Sequence, residues 1–100
     1  MKNKLVKKLI REKTKNIRAE LDGRYEIEYA LELLVKNFNE YKDKIQTVLY
    51  PKLAESFGKK EKSVERTIRY AIKKTYGENA KAKNVLVTLS LEILEELGEI

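Results

Sequence analysis

Two segments of helix length, each followed by a glycine, lie side by side in the middle of this sequence. Pro51 suits the first turn of a helix, where its missing N–H is not needed, and Gly58 suits the position just after a helix end. A longer helical segment then runs from about Lys60 to Tyr76 and is followed by Gly77. A short helix, a tight turn and a longer helix form the outline of a helix-turn-helix motif, predicted here at about residues 51–76.

Apolar residues recur at helical spacing along the rest of the chain. The pattern predicts one helix around residues 5–10, with a less regular continuation at Ile17 and Leu21, and another from about 24 to 38. Asp22-Gly23 is expected to form the turn or helix end between them.

The last apolar segment, about residues 85–97, alternates in part like a strand. Its many Leu and Glu residues and the following Gly98 favour a helix. We therefore predict an all-α fold: a small bundle of about five helices forming a single domain over residues 1–100.

The composition excludes several classes of site. With no His and no Cys, the chain has neither a Ser-His-Asp nor a Cys-His triad, no zinc site of the usual ligands and no disulfide. We expect no enzyme and no cofactor. Four carboxylates near the C-terminus have the residue type of a metal cluster; they are Glu92, Glu95, Glu96 and Glu99. An ordinary exposed helix face is the favoured interpretation.

Charge is unevenly distributed along the chain, whose formal net charge is +6. Residues 1–18 hold eight Lys or Arg and one Glu, and residues 51–84 hold ten Lys or Arg and four Glu. Such segregation suggests a polyanionic partner. For residues 1–18, a basic amphipathic helix on a membrane or on DNA backbone is possible, but a core helix with a solvated face is favoured.

One face of the second motif helix is cationic. At about 100° per residue its apolar side chains fall on one side, and four basic side chains fall within about 60° of one another on the other side. These four residues form a cationic ridge: Lys62, Arg66, Arg69 and Lys73. Arg forms bidentate contacts with guanine, whereas Lys suits phosphates.

The ridge leads to specific expectations for DNA binding, with a plain solvated face as the alternative. Arg66 and Arg69 are predicted to contact base edges, and Glu65 either accepts from cytosine or holds an Arg in position. Lysines at both ends of the helix are predicted to contact phosphates; they are Lys59, Lys60, Lys62, Lys73 and Lys74.

Two stretches of the motif resemble a known family. Residues 47–54 read Thr-Val-Leu-Tyr-Pro-Lys-Leu-Ala, and residues 64–72 read Val-Glu-Arg-Thr-Ile-Arg-Tyr-Ala-Ile, with Phe57 between them. This resembles the C-terminal effector domain of the sporulation initiation response regulator, the stage zero sporulation protein A family. The similarity is ungapped over about thirty residues and continues more weakly on both sides.

The resemblance implies an all-helical domain whose second motif helix binds a short promoter element in the major groove. It implies base contacts for Glu65, Arg66 and Arg69, and phosphate contacts for Lys62 and Ser63. The chain departs from the family pattern at Tyr70, where the family has His, and at Tyr76, where it has Trp. The connection to the last helix is shorter by about fifteen residues, so we expect one family helix to be absent, along with a receiver domain.

The expected partner is therefore double-stranded DNA, for a cytoplasmic, nucleoid-associated transcriptional regulator without a membrane partner. A homodimer on tandem or paired sites and contact with RNA polymerase are further expectations from the resemblance. Surplus apolar residues of the last helix are a candidate dimer contact; they are Leu86, Leu89, Ile93, Leu94 and Leu97. The alternative function is that of an interaction protein, which pairs with a full-length regulator of this type rather than acting on DNA itself.

Overall fold

The computed structural model describes residues 2–18 and 23–99, and all regular structure in these residues is helical. Six α-helices and one π-helical turn follow one another: α1 (Lys2–Thr14), α2 (Gly23–Lys36), α3 (Phe38–Tyr41), the π turn (Ile45–Leu49), α4 (Tyr50–Phe57), α5 (Glu61–Tyr76) and α6 (Ala82–Glu96). The predicted all-α fold is confirmed, and α3 is the short helix that the sequence pattern did not resolve. Leu21 and Asp22 lie outside the described residues. No helix in the described part of the chain is long and apolar enough to cross a membrane.

Helix α2 is the centre of the bundle. It packs against α1, α4, α5 and α6, and its apolar stripe is fully buried. That stripe follows helical spacing, as the sequence predicts, and consists of Ile27, Ala30, Leu31 and Leu34. The two motif helices, α4 and α5, therefore pack on the same helix that contacts α1 and α6.

Gly23 has a different role from the one predicted. It is the buried first residue of α2 rather than a helix end, and its φ is not positive. A Cβ on this residue would lie 2.6 Å from the carbonyl oxygen of Thr67 and 2.7 Å from the Cβ of Ala71. Glycine is therefore required here because α2 meets the backbone of α5 directly.

The chain is already helical before Pro51, contrary to the expectation that this proline starts a helix after a non-helical residue. Leu49 and Tyr50 both have right-handed helical dihedral angles, and the π turn continues into α4. The Tyr50 N–H bonds the carbonyl of Ile45, five residues earlier. The wider π turn explains how a proline can follow helical residues, because it relieves the contact between the proline ring and the carbonyl four residues before it.

Helix α6 closes the bundle against α2, α5 and α1. Its predicted surplus of apolar residues is instead used inside the chain: Leu86 and Ile93 are fully buried, Leu89 and Leu94 nearly so, and Leu97 packs against the core. This corrects the expectation that these residues form a dimer contact, since their apolar surface is already covered.

Candidate nucleic-acid interface

The motif turn is a defined helix end. Gly58 adopts a left-handed conformation with φ of 63°. Its N–H bonds the carbonyl of Glu55, and the N–H of Lys59 bonds the carbonyl of Ala54 at 2.9 Å. This pair of bonds is a Schellman motif, which satisfies the last carbonyls of α4 and reverses the chain. Lys60, in an extended conformation, then precedes α5.

Helix α5 is divided lengthwise into a buried and an exposed side. Its four buried residues are Val64, Ile68, Ala71 and Ile72, each fully buried. They pack against α2, α4 and α6. The four residues of the cationic ridge, called the α5 ridge from here on, lie on the opposite side, where Lys62, Arg66 and Arg69 are exposed and Lys73 is half-buried. The predicted burial pattern is confirmed, and the ridge faces solvent.

Glu65 tethers one of the two ridge arginines. Arg69 Nη1 donates to Glu65 Oε1 at 3.2 Å, one helical turn away. Gln46 Nε2 in the π turn donates to the other carboxylate oxygen at 3.4 Å. Of the two roles predicted for Glu65, the free structure displays the one in which it holds an arginine. Arg66 has no ion-pair partner among the described residues.

Tyr50 lies beneath this tethered pair. Its side chain is buried, and burial raises the pKa of its hydroxyl to about 12, with a further increase from Glu65 and a decrease from Arg69. A tyrosine hydroxyl is neutral at physiological pH even at its ordinary pKa, so the shift reflects the burial of Tyr50 beside the Glu65–Arg69 pair and not a change in its charge.

Lys59 points away from the role predicted for it. Its ammonium donates to Glu26 Oε2 at 2.7 Å, and the Glu26 side chain is 1% exposed. The other carboxylate oxygen of Glu26 is buried without a hydrogen-bond partner. The geometry therefore gives Lys59 a structural role, in which it ties the motif turn to α2.

The remaining predicted phosphate contacts lie at the two ends of α5. Lys60 and Lys62 are exposed at its start, where no side chain caps the free backbone N–H groups, and Ser63 is half-buried beside them. At the far end, Lys74 Nζ lies 5.6 Å from the centroid of the exposed Tyr70 ring. Both ends of α5 thus present donors or positive charge toward solvent.

Sequence reasoning missed two residues that position this site. Gln46 reaches Glu65 from a segment nineteen positions earlier, and Glu26 reaches Lys59 from α2, thirty-three positions earlier. Neither contact has a signal in helical spacing, because each depends on how separate helices pack. A groove beside α5 also contains Lys81 and Lys83, which were not predicted as site residues.

The comparisons agree with this geometry. The family model described as Sporulation initiation factor Spo0A C terminal matches residues 6–96. No curated protein and no solved structure matches the chain. Since the model spans the motif, its supporting helices and nearly all of the chain, the protein belongs to the Spo0A C-terminal family, a family of DNA-binding effector domains.

Proposed function

We propose that the protein is a sequence-specific regulator of transcription that inserts α5 into the major groove of double-stranded DNA. The observation that carries this proposal is the division of α5 into a fully buried side and a solvent-facing ridge, on the second helix of a helix-turn-helix. In such motifs the second helix lies in the major groove and its first half contacts base edges.

The roles within α5 differ from residue to residue. Arg66 forms no ion pair with the described residues, is exposed, and presents its guanidinium for bidentate contact with guanine. Arg69 is pre-positioned by Glu65, which lowers the entropy lost when it binds a base. Phosphate contacts come from both ends of the helix, through Lys60, Lys62, Ser63, Lys73 and Lys74. Lys59 supports the turn.

The fold weakens the main argument for the alternative, a protein that only pairs with a full-length regulator. That argument depended on apolar residues of α6 remaining available, and those residues are buried inside the chain. Contact with RNA polymerase and a dimer on tandem sites stay expectations from the resemblance.

The test is a binding titration on two kinds of duplex. Duplexes enriched from a random-sequence pool are titrated against scrambled versions at two salt concentrations. We expect a preference of about a thousandfold or more for the enriched sequence, together with weaker binding at higher salt. Equal affinity for both duplexes would leave only a nonspecific binder, and no binding to either would favour the interaction protein.

A further inference from the structure

A second cationic surface lies on α1, and one edge of it borders the end of α4. It is called the α1 ridge and consists of Lys4, Lys7, Lys8 and Arg11, all exposed, with the exposed Lys15 just beyond the helix end. Lys4, Lys8 and Arg11 have the same spacing as Lys62, Arg66 and Arg69 in α5. Helical periodicity therefore places three cations on one face in both helices.

The described residues do little to neutralise the α1 ridge. Among residues 2–18 and 23–99, no carboxylate forms an ion pair with a ridge residue. Glu28 and Glu32 share a groove with Lys7 and Arg11, but they bond Arg24 and Lys36 instead. The neighbouring Lys13 differs, because it bonds Glu92 and Glu96 of α6.

This arrangement opposes the stability of α1. Like charges three or four residues apart on a helix repel, and cations near a helix N-terminus oppose the helix dipole. Lys4 and Lys8 form one such pair, and Lys7 and Arg11 form another. The first turn of α1 contains no acidic residue, and Glu12, one turn after Lys8, offsets only part of this repulsion. A polyanion bound to the ridge would relieve this repulsion.

The chemistry of α1 favours nucleic acid over a membrane. An interfacial helix binds lipid by burying its apolar face among the acyl chains. The apolar face of α1 is already used, since Val6, Leu9 and Ile10 are buried in the protein core. Only Leu5 is a large exposed apolar residue of α1, at 45%. What remains outside is a row of cations that spans about 10 Å from Lys4 to Arg11, and a duplex carries about six phosphates over that length.

The two ridges lie on helices that are joined through α2 and α6, each of which contacts both α1 and α5. Lys7 and Arg11 line a groove with Ser56 and Phe57 of α4, whereas Lys4 and Lys8 do not line it. Lys4 and Lys8 therefore form the edge of the α1 ridge that lies outside the groove shared with the motif, and this is the edge available to a second duplex.

We propose that the α1 ridge is a second, sequence-independent binding surface for DNA phosphates, through which one protein molecule joins two duplex segments. This inference rests on the proposed function of α5, which holds the first segment. The second segment is a separate duplex or a distant part of the same DNA.

The test is a capture assay with the full chain. A duplex enriched for α5 binding is immobilised, and a fluorescent duplex of unrelated sequence is added at low salt. We expect the protein to retain the second duplex. The double variant Lys4→Gln with Lys8→Gln should reduce capture about tenfold and lower the salt slope of capture by about two units, one for each lost phosphate contact. Its affinity for the enriched duplex alone should change less than twofold.

A matched control removes the same charge elsewhere. Lys42→Gln with Lys44→Gln should leave both capture and single-duplex affinity unchanged, and circular dichroism checks that each variant is folded. Capture that is insensitive to the α1 variant would overturn the proposal, since it would then arise from pairing of protein molecules. Single-duplex binding without capture would overturn this inference alone, whereas loss of single-duplex binding by the unmodified protein would overturn the proposed function.

A vesicle arm separates lipid from DNA. The protein is sedimented with phosphatidylserine–phosphatidylcholine vesicles. We expect the unmodified protein to co-sediment no more than the control variant does, since any binding would then come from net charge alone. Vesicle binding that the α1 variant abolishes, combined with no capture of a second duplex, would show that the ridge binds lipid and would overturn the proposal.

Discussion

Arg66 and Arg69 are neighbours on α5, yet the structure places them in different states. Arg69 is bonded to Glu65, which is also bonded to Gln46, whereas Arg66 projects from the helix without such a bond. A tethered arginine is ordered before DNA arrives, and a free one is ordered on binding. Since a free guanidinium gives up no internal ion pair, Arg66 is the residue whose removal reports most directly on base contact.

We therefore expect Arg66→Ala to weaken binding to the enriched duplex by about 1–3 kcal/mol and to relax sequence preference. Lys73→Ala is the matched comparison within the same ridge. It should weaken binding to all duplexes alike and lower the salt slope by about one unit, because it removes a phosphate contact. Fluorescence anisotropy on enriched and scrambled duplexes measures both. An equal loss on the two duplexes for Arg66→Ala would contradict its base-reading role.

Gly23 shows how one absent side chain sets the distance between two helices. Any Cβ here would press on the Thr67 carbonyl and the Ala71 side chain, both part of α5. Backbone on one side of the contact cannot move aside as a flexible side chain would. The position of α5 over α2 therefore depends on this residue having no side chain.

Gly23→Ala should destabilise the protein by about 1–3 kcal/mol through overpacking. Gly58→Ala provides the comparison, since a Cβ there meets nothing within 4 Å and only the left-handed conformation is penalised, at about 1 kcal/mol. Urea unfolding of both variants gives the difference. A Gly23→Ala cost no larger than that of Gly58→Ala would show that α2 and α5 separate easily.

Among the elements, the motif turn depends on α2 as well as on its own sequence. Its reversal is local, produced by Gly58 and the two backbone bonds at the end of α4. Its orientation is not local, because Lys59 bonds the buried carboxylate of Glu26. Removing one partner of a buried pair leaves the other poorly solvated.

Lys59→Gln should therefore cost about 1–3 kcal/mol of stability, because it leaves the buried Glu26 carboxylate without its cation. Lys36→Gln is the control: this exposed lysine pairs with Glu32 at 3.4 Å, and such surface pairs contribute less than about 1 kcal/mol. Both are measured by urea unfolding. A similar small cost for the two variants would mean that the Lys59–Glu26 pair contributes little to holding the turn.

The sequence predicts elements well where the signal is local and poorly where it depends on packing. The helix pattern, the left-handed Gly58 and the buried side of α5 are all consequences of spacing or of backbone conformation. Local rules gave the wrong interpretation of Gly23 and of the residues before Pro51, since a close helix contact and a π turn determine those conformations. The assignment of Lys59 to phosphate ignored Glu26, which only the fold brings near.

At the scale of the whole molecule, a single apolar cluster joins residues of all six helices or their flanks. Ile10 of α1 and Ile93 of α6 belong to the same cluster as Ile68 of the motif. Domains with one contiguous core usually unfold in one cooperative transition. A substitution that destabilises α1 should therefore also destabilise the motif.

We expect Ile10→Ala to destabilise the whole chain by about 2–5 kcal/mol, with helix content and tyrosine fluorescence lost in one transition. Leu5→Ala on the same helix should cost less than about 1 kcal/mol, because Leu5 is 45% exposed. Separate transitions for the two probes would show that α1 unfolds independently of the motif.

The lengthwise division of α5 has a consequence for how the DNA target can change. The side chains that hold the helix in place and those that face solvent belong to different residues. The exposed residues can therefore be substituted while the buried residues stay unchanged. Substitutions at Arg66 and its exposed neighbours should yield folded proteins that bind other duplexes, which makes the domain a scaffold for selecting new DNA specificities. Changes at Glu65 are the exception, since this residue bonds both Arg69 on the exposed face and Gln46 in the π turn.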